Sequence, residues 1–143
     1  MILLIKKYNR LSKFEKRLLI NTYITSIKVR FYIKFYKMPS YIHLLGKKSE
    51  KTTSSKFDEE KVKLIIKNIK IVSRNSFWRT KCFEEALNAK LQLQNQNIKS
   101  TIYFGVRKNN ENSLDAHSWL KIGDICIIGC NNIDKYTITE FFT

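Results

Sequence analysis

Apolar residues recur at three- and four-residue spacings up to about residue 94 and at two-residue spacings from about residue 100. This single change of period limits the chain to helices first and strands afterwards. Such an order predicts an α+β domain with an antiparallel sheet rather than alternating βα units. With 143 residues there is room for one packed core. No internal repeat subdivides it.

The helical half carries its own start signals. Ser12-Lys13-Phe14-Glu15 has the form of a capping box, in which the Ser hydroxyl and the Glu carboxylate satisfy each other's free backbone N–H groups. The helix that follows is expected to bury Leu18, Leu19, Tyr23, Ile24, Ile27 and Phe31, leaving Lys16, Arg17, Lys28, Arg30 and Lys34 largely in water, and to end near Met38-Pro39. Asp58-Glu59-Glu60 opens a second helix with Val62, Ile65, Ile66 and Ile69 on one face, ending near residues 73–75. A third is expected from Thr80 as N-cap, with Phe83, Ala86, Leu87, Lys90, Leu91 and Gln94 in line, stopping at Asn95-Gln96-Asn97. Strands are expected near 100–107, 116–122 and 125–128, the last two joined through Gly123-Asp124.

Charge divides the chain unevenly. Residues 1–56 hold 14 Lys/Arg and 2 Asp/Glu, whereas residues 57–143 hold 13 and 10. We therefore read 1–56 as a basic helical arm ending in a polar linker at 46–56, and 57–143 as the core in which chemistry is to be sought. The basic face suits an acidic partner. Interleaved Phe31, Tyr32, Phe35 and Tyr36 would fit nucleic acid or an anionic membrane, but packing on the core with the lysines in water is the simpler expectation, and no nucleic-acid partner is assigned. Met1–Ile5 and the Lys/Arg-broken run 18–36 fall short of the ~20 apolar residues of a membrane span.

Three cysteines, Cys82, Cys126 and Cys130, form no regular disulfide framework, which fits a reducing, cytoplasmic setting. Cys126 and Cys130 have the C-x3-C look of a metal pair. They fall on a strand, however, and with His117 would leave zinc one ligand short, so neither metal nor cofactor is assigned. Cys82 sits in the first turn expected for the third helix, where the helix N-terminus, Arg79 and Lys81 stabilise thiolate. His117, in Ala116-His117-Ser118-Trp119, is the candidate base; strand alternation puts it on one face with Trp119, and Ser118 and Leu120 on the other. His43 is read as an ordinary residue of the arm, and Trp78 and Trp119 as groove wall or core.

A base histidine needs an acceptor for its second ring nitrogen. Counting outward from a two-residue Gly123-Asp124 loop sets His117 opposite Cys130, with Asn131 adjacent. Asn131 is thus the first choice for the third group, with Asn132 and Asp134 still open. Asp124 lies seven residues from His117 along extended chain, on the order of 20 Å at ~3.3 Å per residue, and belongs to the turn.

Together, Trp78-Arg79-Thr80-Lys81-Cys82-Phe83-Glu84-Glu85-Ala86-Leu87, Ile102-Tyr103-Phe104-Gly105-Val106 and Ala116-His117-Ser118-Trp119-Leu120 resemble the transglutaminase-like leader peptidases, the B proteins, of lasso-peptide biosynthesis. Arg10-Leu11-Ser12 and the basic, aromatic helix after it are similar to the arm that precedes that core. The resemblance implies a papain-like thiol peptidase with Cys82 as nucleophile and His117 as base, cutting the leader from a ribosomally made precursor. It also implies a separate leader-recognition protein and an ATP-dependent macrolactam cyclase as partners, since no spare ~80 residues remain for a fused recognition domain. That family commonly has an acidic third member; here the place reads Gly129-Cys130-Asn131-Asn132. Other acyltransferases or amidases share the same Cys and His.

Overall fold

The computed structural model describes residues 8–48, 56–109 and 113–143. The apolar start Met1–Ile5 and most of the polar linker, 49–55, lie outside them. Helices α1 (Lys13–Phe35), α2 (Met38–Tyr41, continued by a 3-10 turn Ile42–Leu45), α3 (Glu59–Asn75) and α4 (Cys82–Gln94) precede strands β1 (Thr101–Lys108), β2 (Leu114–Ile122), β3 (Ile125–Ile128) and β4 (Thr137–Phe142). The sheet is antiparallel, in the order β3-β2-β1-β4. The class is α+β, as the change of period requires.

Local signals set the helix starts. At α1, Ser12 N–H donates to Glu15 Oε2 at 2.8 Å and Glu15 N–H to Ser12 Oγ at 3.2 Å, so the capping box forms, and these bonds hold the Glu15 carboxyl below its usual range. At α3, Asp58 caps by accepting from Lys61 N–H at 3.1 Å. At α4 the expected cap is corrected: the N-cap is Lys81, which makes no side-chain bond, and Cys82 is the first helical residue. Thr80 Oγ1 is instead buried, with no hydrogen-bond partner among the described residues.

The layer of helices packs on one face of the sheet around Val62, Ile65, Ile69, Leu87, Leu93, Ile102, Leu120, Ile122 and Phe142. Leu18, Val29 and Leu45 belong to the same cluster, so the change in charge near residue 56 does not interrupt the core. Gly46, at φ +92°, turns the chain so that Lys47 pairs with Thr143 through N–H···O bonds of 2.7 and 2.9 Å, and Lys48 bridges Phe142. The end of the basic segment thereby lies along the outer side of β4 rather than hanging as linker.

The orientation of α1 departs from the expectation in part: Leu18 is buried and Arg17, Lys28 and Lys34 are exposed as expected, but the helix is rotated about its axis. Its buried residues are Leu18, Thr22, Ser26 and Val29, while Tyr23, Ile24, Ile27 and Phe31 of the expected core stripe are exposed. The cause lies on α4, whose Glu84, Asn88 and Gln92 are buried and need polar partners. Arg30 pairs with Glu84, Asn88 Nδ2 donates to the Thr22 carbonyl at 3.1 Å, and Gln92 Nε2 donates to Thr25 Oγ1 at 3.1 Å. Pairing these groups turns the face of α1 that carries Thr22 and Ser26 inward.

Lys90, also on α4, is 1 % exposed; its Nζ donates to the Ser100 carbonyl at 2.7 Å, and burial pushes its pKa down to about 8. Between that value and the ordinary lysine range the unfolded chain binds the extra proton, so stability must rise with pH there. We expect a gain of about 2 kcal/mol between about pH 8 and 9.5, read by denaturant unfolding, and a flat profile over that window in Lys90→Met. Burial also raises the Tyr41 and Tyr103 phenols, but these lower stability only above about pH 10.

Candidate functional site

Cys82 occupies the first position of α4 and is half-buried. The first backbone bond that closes a turn of this helix is Glu85 N–H to the Lys81 carbonyl, at 3.1 Å, and no side chain caps the end. The N–H groups of Cys82, Phe83 and Glu84 are therefore the orphan donors of the helix start, beside a thiol in the positive end of the helix dipole. An anion developing next to Cys82 Sγ would find those donors already oriented.

His117 lies in β2, paired with Gly105 of β1. As the alternation predicted, its ring shares a face with Trp119. Tyr136 packs on the imidazole at 5.1 Å and Trp119 at 6.0 Å between ring centroids, and Trp119 stacks in turn on Tyr103 at 5.7 Å. Leu120 and Ser118, on the other face, are buried. That face meets α4, where Phe83 contacts Phe104 at 5.2 Å.

His117 Nε2 lies 2.7 Å from the Gly129 carbonyl. A carbonyl oxygen can only accept, so Nε2 carries the hydrogen and, in the neutral ring, Nδ1 carries the lone pair. The place given to Asn131 in the sequence is thus filled by main chain. The reason is a shift of register: Ile122 pairs with Ile125 and Lys121 with Cys126, but a bulge follows, Leu120 pairs with Ile128, and β3 stops. Gly129, at φ +72°, then turns the chain across β2, where a β-carbon would lie 2.5 Å from the Ser118 carbonyl oxygen. Asn131, Asn132 and Asp134 are exposed in the following turn, and none bonds His117 among the described residues. Asp124 sits exposed in the β2–β3 turn.

The same bulge and turn bring Cys126 and Cys130 to a Cα separation of 5.8 Å, and the two are joined as a disulfide. This corrects the expectation of a chain without disulfides and uses up both thiols of the C-x3-C pair. Cys82 is the free cysteine.

Cys82 and His117 both line an open cavity of about 590 Å³, with Tyr41, Phe104, Thr139 and Glu140 among its other walls. No hydrogen bond joins the thiol to the imidazole among the described residues: the cavity lies on the α4 side of the sheet and the ring packs on the other, so His117 borders the cavity from β2 without its ring facing the sulfur. Thr139 and Glu140 come from β4, and Tyr41 from the basic segment; none was singled out from sequence. The alternation Thr137-Ile138-Thr139 was the available signal for that strand. Gly129 could not have been found by residue type, because its contribution is a backbone oxygen.

A family model described as transglutaminase-like superfamily matches residues 26–140, most of the chain and all of the cavity walls named above. Comparison with curated proteins and with solved structures gave no match.

Proposed function

The chain belongs to the transglutaminase-like superfamily, and on that premise we propose that it is a cysteine peptidase that removes the leader from a ribosomally synthesised precursor of the lasso-peptide kind. The observation that carries this reading is the free thiol of Cys82 on the uncapped first residue of α4, facing a cavity that His117 also lines.

In this reading precursor binding displaces the start of β2, so that the imidazole leaves the sheet face it shares with Trp119 and Tyr136 and comes round to the cavity on the α4 face, within reach of the sulfur. His117 Nδ1 takes the thiol proton and Cys82 Sγ attacks the scissile carbonyl, forming a C–S bond while the oxyanion accepts from the N–H groups at the start of α4. The imidazolium returns its proton to the leaving amine as the C–N bond breaks. Water, deprotonated by the same nitrogen, then cleaves the thioester and restores the thiol. Before substrate binds, Gly129 O holds Nε2–H and so sets the tautomer with its lone pair on Nδ1. A leader-recognition protein and an ATP-dependent cyclase are the partners this role requires.

The test is a precursor peptide encoded beside this chain's gene, incubated with the protein and a recognition protein and followed by mass spectrometry. Two fragments whose masses sum to the precursor plus one water, with a thioester on Cys82 in acid-quenched samples, are expected. A product in which an amine replaces that water would make the protein an acyltransferase instead.

A further inference from the structure

Ile20, Ile24, Ile27, Phe31 and Phe35 follow one another along α1 at four-, three-, four- and four-residue intervals, and each is 45–63 % exposed. They form a continuous apolar ridge on the side of the helix turned away from α4. Phe31, Phe35 and Tyr36 cluster at its C-terminal end, with ring centroids 4.8 and 5.9 Å apart. Helical spacing puts Lys16 and Lys34 along one flank of the ridge and Arg17 and Lys28 along the other. None of these four makes an ion pair among the described residues, and α1 carries a single acidic residue, Glu15. Beside the ridge, Leu19, Ile20 and Tyr23 of α1 and Ile71 and Val72 of α3 line an apolar groove of about 460 Å³.

We propose that this ridge seats α1 in the plane of a membrane surface rich in anionic lipid. Apolar side chains in a stripe, cations on both flanks and aromatic rings at one end are what an in-plane interfacial helix needs: the stripe enters the acyl boundary while lysine and arginine heads stay at the phosphates. No described helix is long and apolar enough to cross a membrane, so the helix lies on the surface. A second copy of the chain fits less well, because pairing two such faces would bring their cations together. Nucleic acid fits the cations but leaves the three isoleucines uncovered. The Arg30–Glu84 pair ties α1 to the first turn of α4, so seating would hold the Cys82 cavity about one helix diameter, ~10 Å, from the surface.

The proposal stands apart from the peptidase reading and is tested without a substrate, by flotation with vesicles of phosphatidylcholine containing one-third phosphatidylglycerol and with pure phosphatidylcholine. The protein is expected to float with the first and not the second, and to be released as salt rises. Ile24→Ser/Phe31→Ser and Arg17→Gln/Lys28→Gln should each weaken partitioning at least about tenfold. All four positions are at the surface, and unchanged thermal unfolding checks that the variants fold. Cys82→Ala should float like the unaltered protein. Absence of flotation, or equal flotation of the Ile24/Phe31 variant, would overturn the proposal. So would sedimentation showing a dimer that the same variant makes monomeric, since a second copy would then cover the ridge.

Discussion

Cys82→Ala is expected to reduce precursor cleavage by on the order of 10⁴-fold or more while leaving the folded protein intact. The loss is so large because no other group can take over: Cys126 and Cys130 are bonded to each other, and the helix-start N–H groups that would stabilise the oxyanion act only on a carbonyl already under attack. The fold should survive because Cys82 is half-buried at the end of α4 and alanine is a good helix residue there. His117→Ala should fall nearly as far, since the two act as a unit. Alkylation without reductant offers a separate reading. Iodoacetamide should add one carbamidomethyl group to the folded protein, at Cys82, and none to Cys82→Ala. Cleavage that persists in Cys82→Ala would remove the thiol mechanism altogether.

Gly129→Ala should lower kcat by about 100-fold with little change in KM, whereas Asn131→Ala should stay within about twofold of the unaltered protein. Two features of Gly129 lead to this contrast. Its φ of +72° disfavours any side chain, and a β-carbon there would lie 2.5 Å from the Ser118 carbonyl oxygen and 3.1 Å from Trp119 Cα. Alanine must therefore lift the turn off β2 and carry the Gly129 oxygen away from the 2.7 Å contact that fixes the tautomer of the imidazole. Displacements of about 1 Å in a catalytic group can cost this much. Asn131 is exposed and makes no hydrogen bond to His117 among the described residues. If Asn131→Ala proves the more damaging variant, the side chain and not the carbonyl holds His117 during turnover.

What could be read from the sequence was what neighbouring residues decide among themselves. Ser12 and Glu15 settle the start of α1 within three residues, Asp58 does the same for α3, and the alternation through His117-Ser118-Trp119 assigns the faces of β2 correctly. The failures share a different character. The rotation of α1 is decided by Glu84, Asn88 and Gln92, more than fifty residues further on, and hydrophobic spacing within α1 contains no trace of them. The partner of His117 depends on a bulge opposite Leu120 and Lys121, which a count from the hairpin tip passes over. Strand β4 was missed because its pattern is faint: it is largely exposed, and its pairing with β1 shifts register between Phe104 and Gly105. Cys82 and His117, by contrast, were singled out from residue type and position, since a thiol at a helix start and a histidine beside a tryptophan on a strand are both local patterns, and both border one cavity.

The contact of Gly46 to Lys48 with the far end of the chain bears on how this protein can be cut down. A fragment starting at residue 57 would keep every group in the proposed chemistry and look like a sensible minimal enzyme. It would also strip Leu18, Val29 and Leu45 from the packed interior and uncover the side of β4 along which the Lys47 and Thr143 amides now bond. An uncovered strand edge invites sheet pairing between molecules. Such a fragment would fail by precipitating, and its inactivity would say nothing about Cys82.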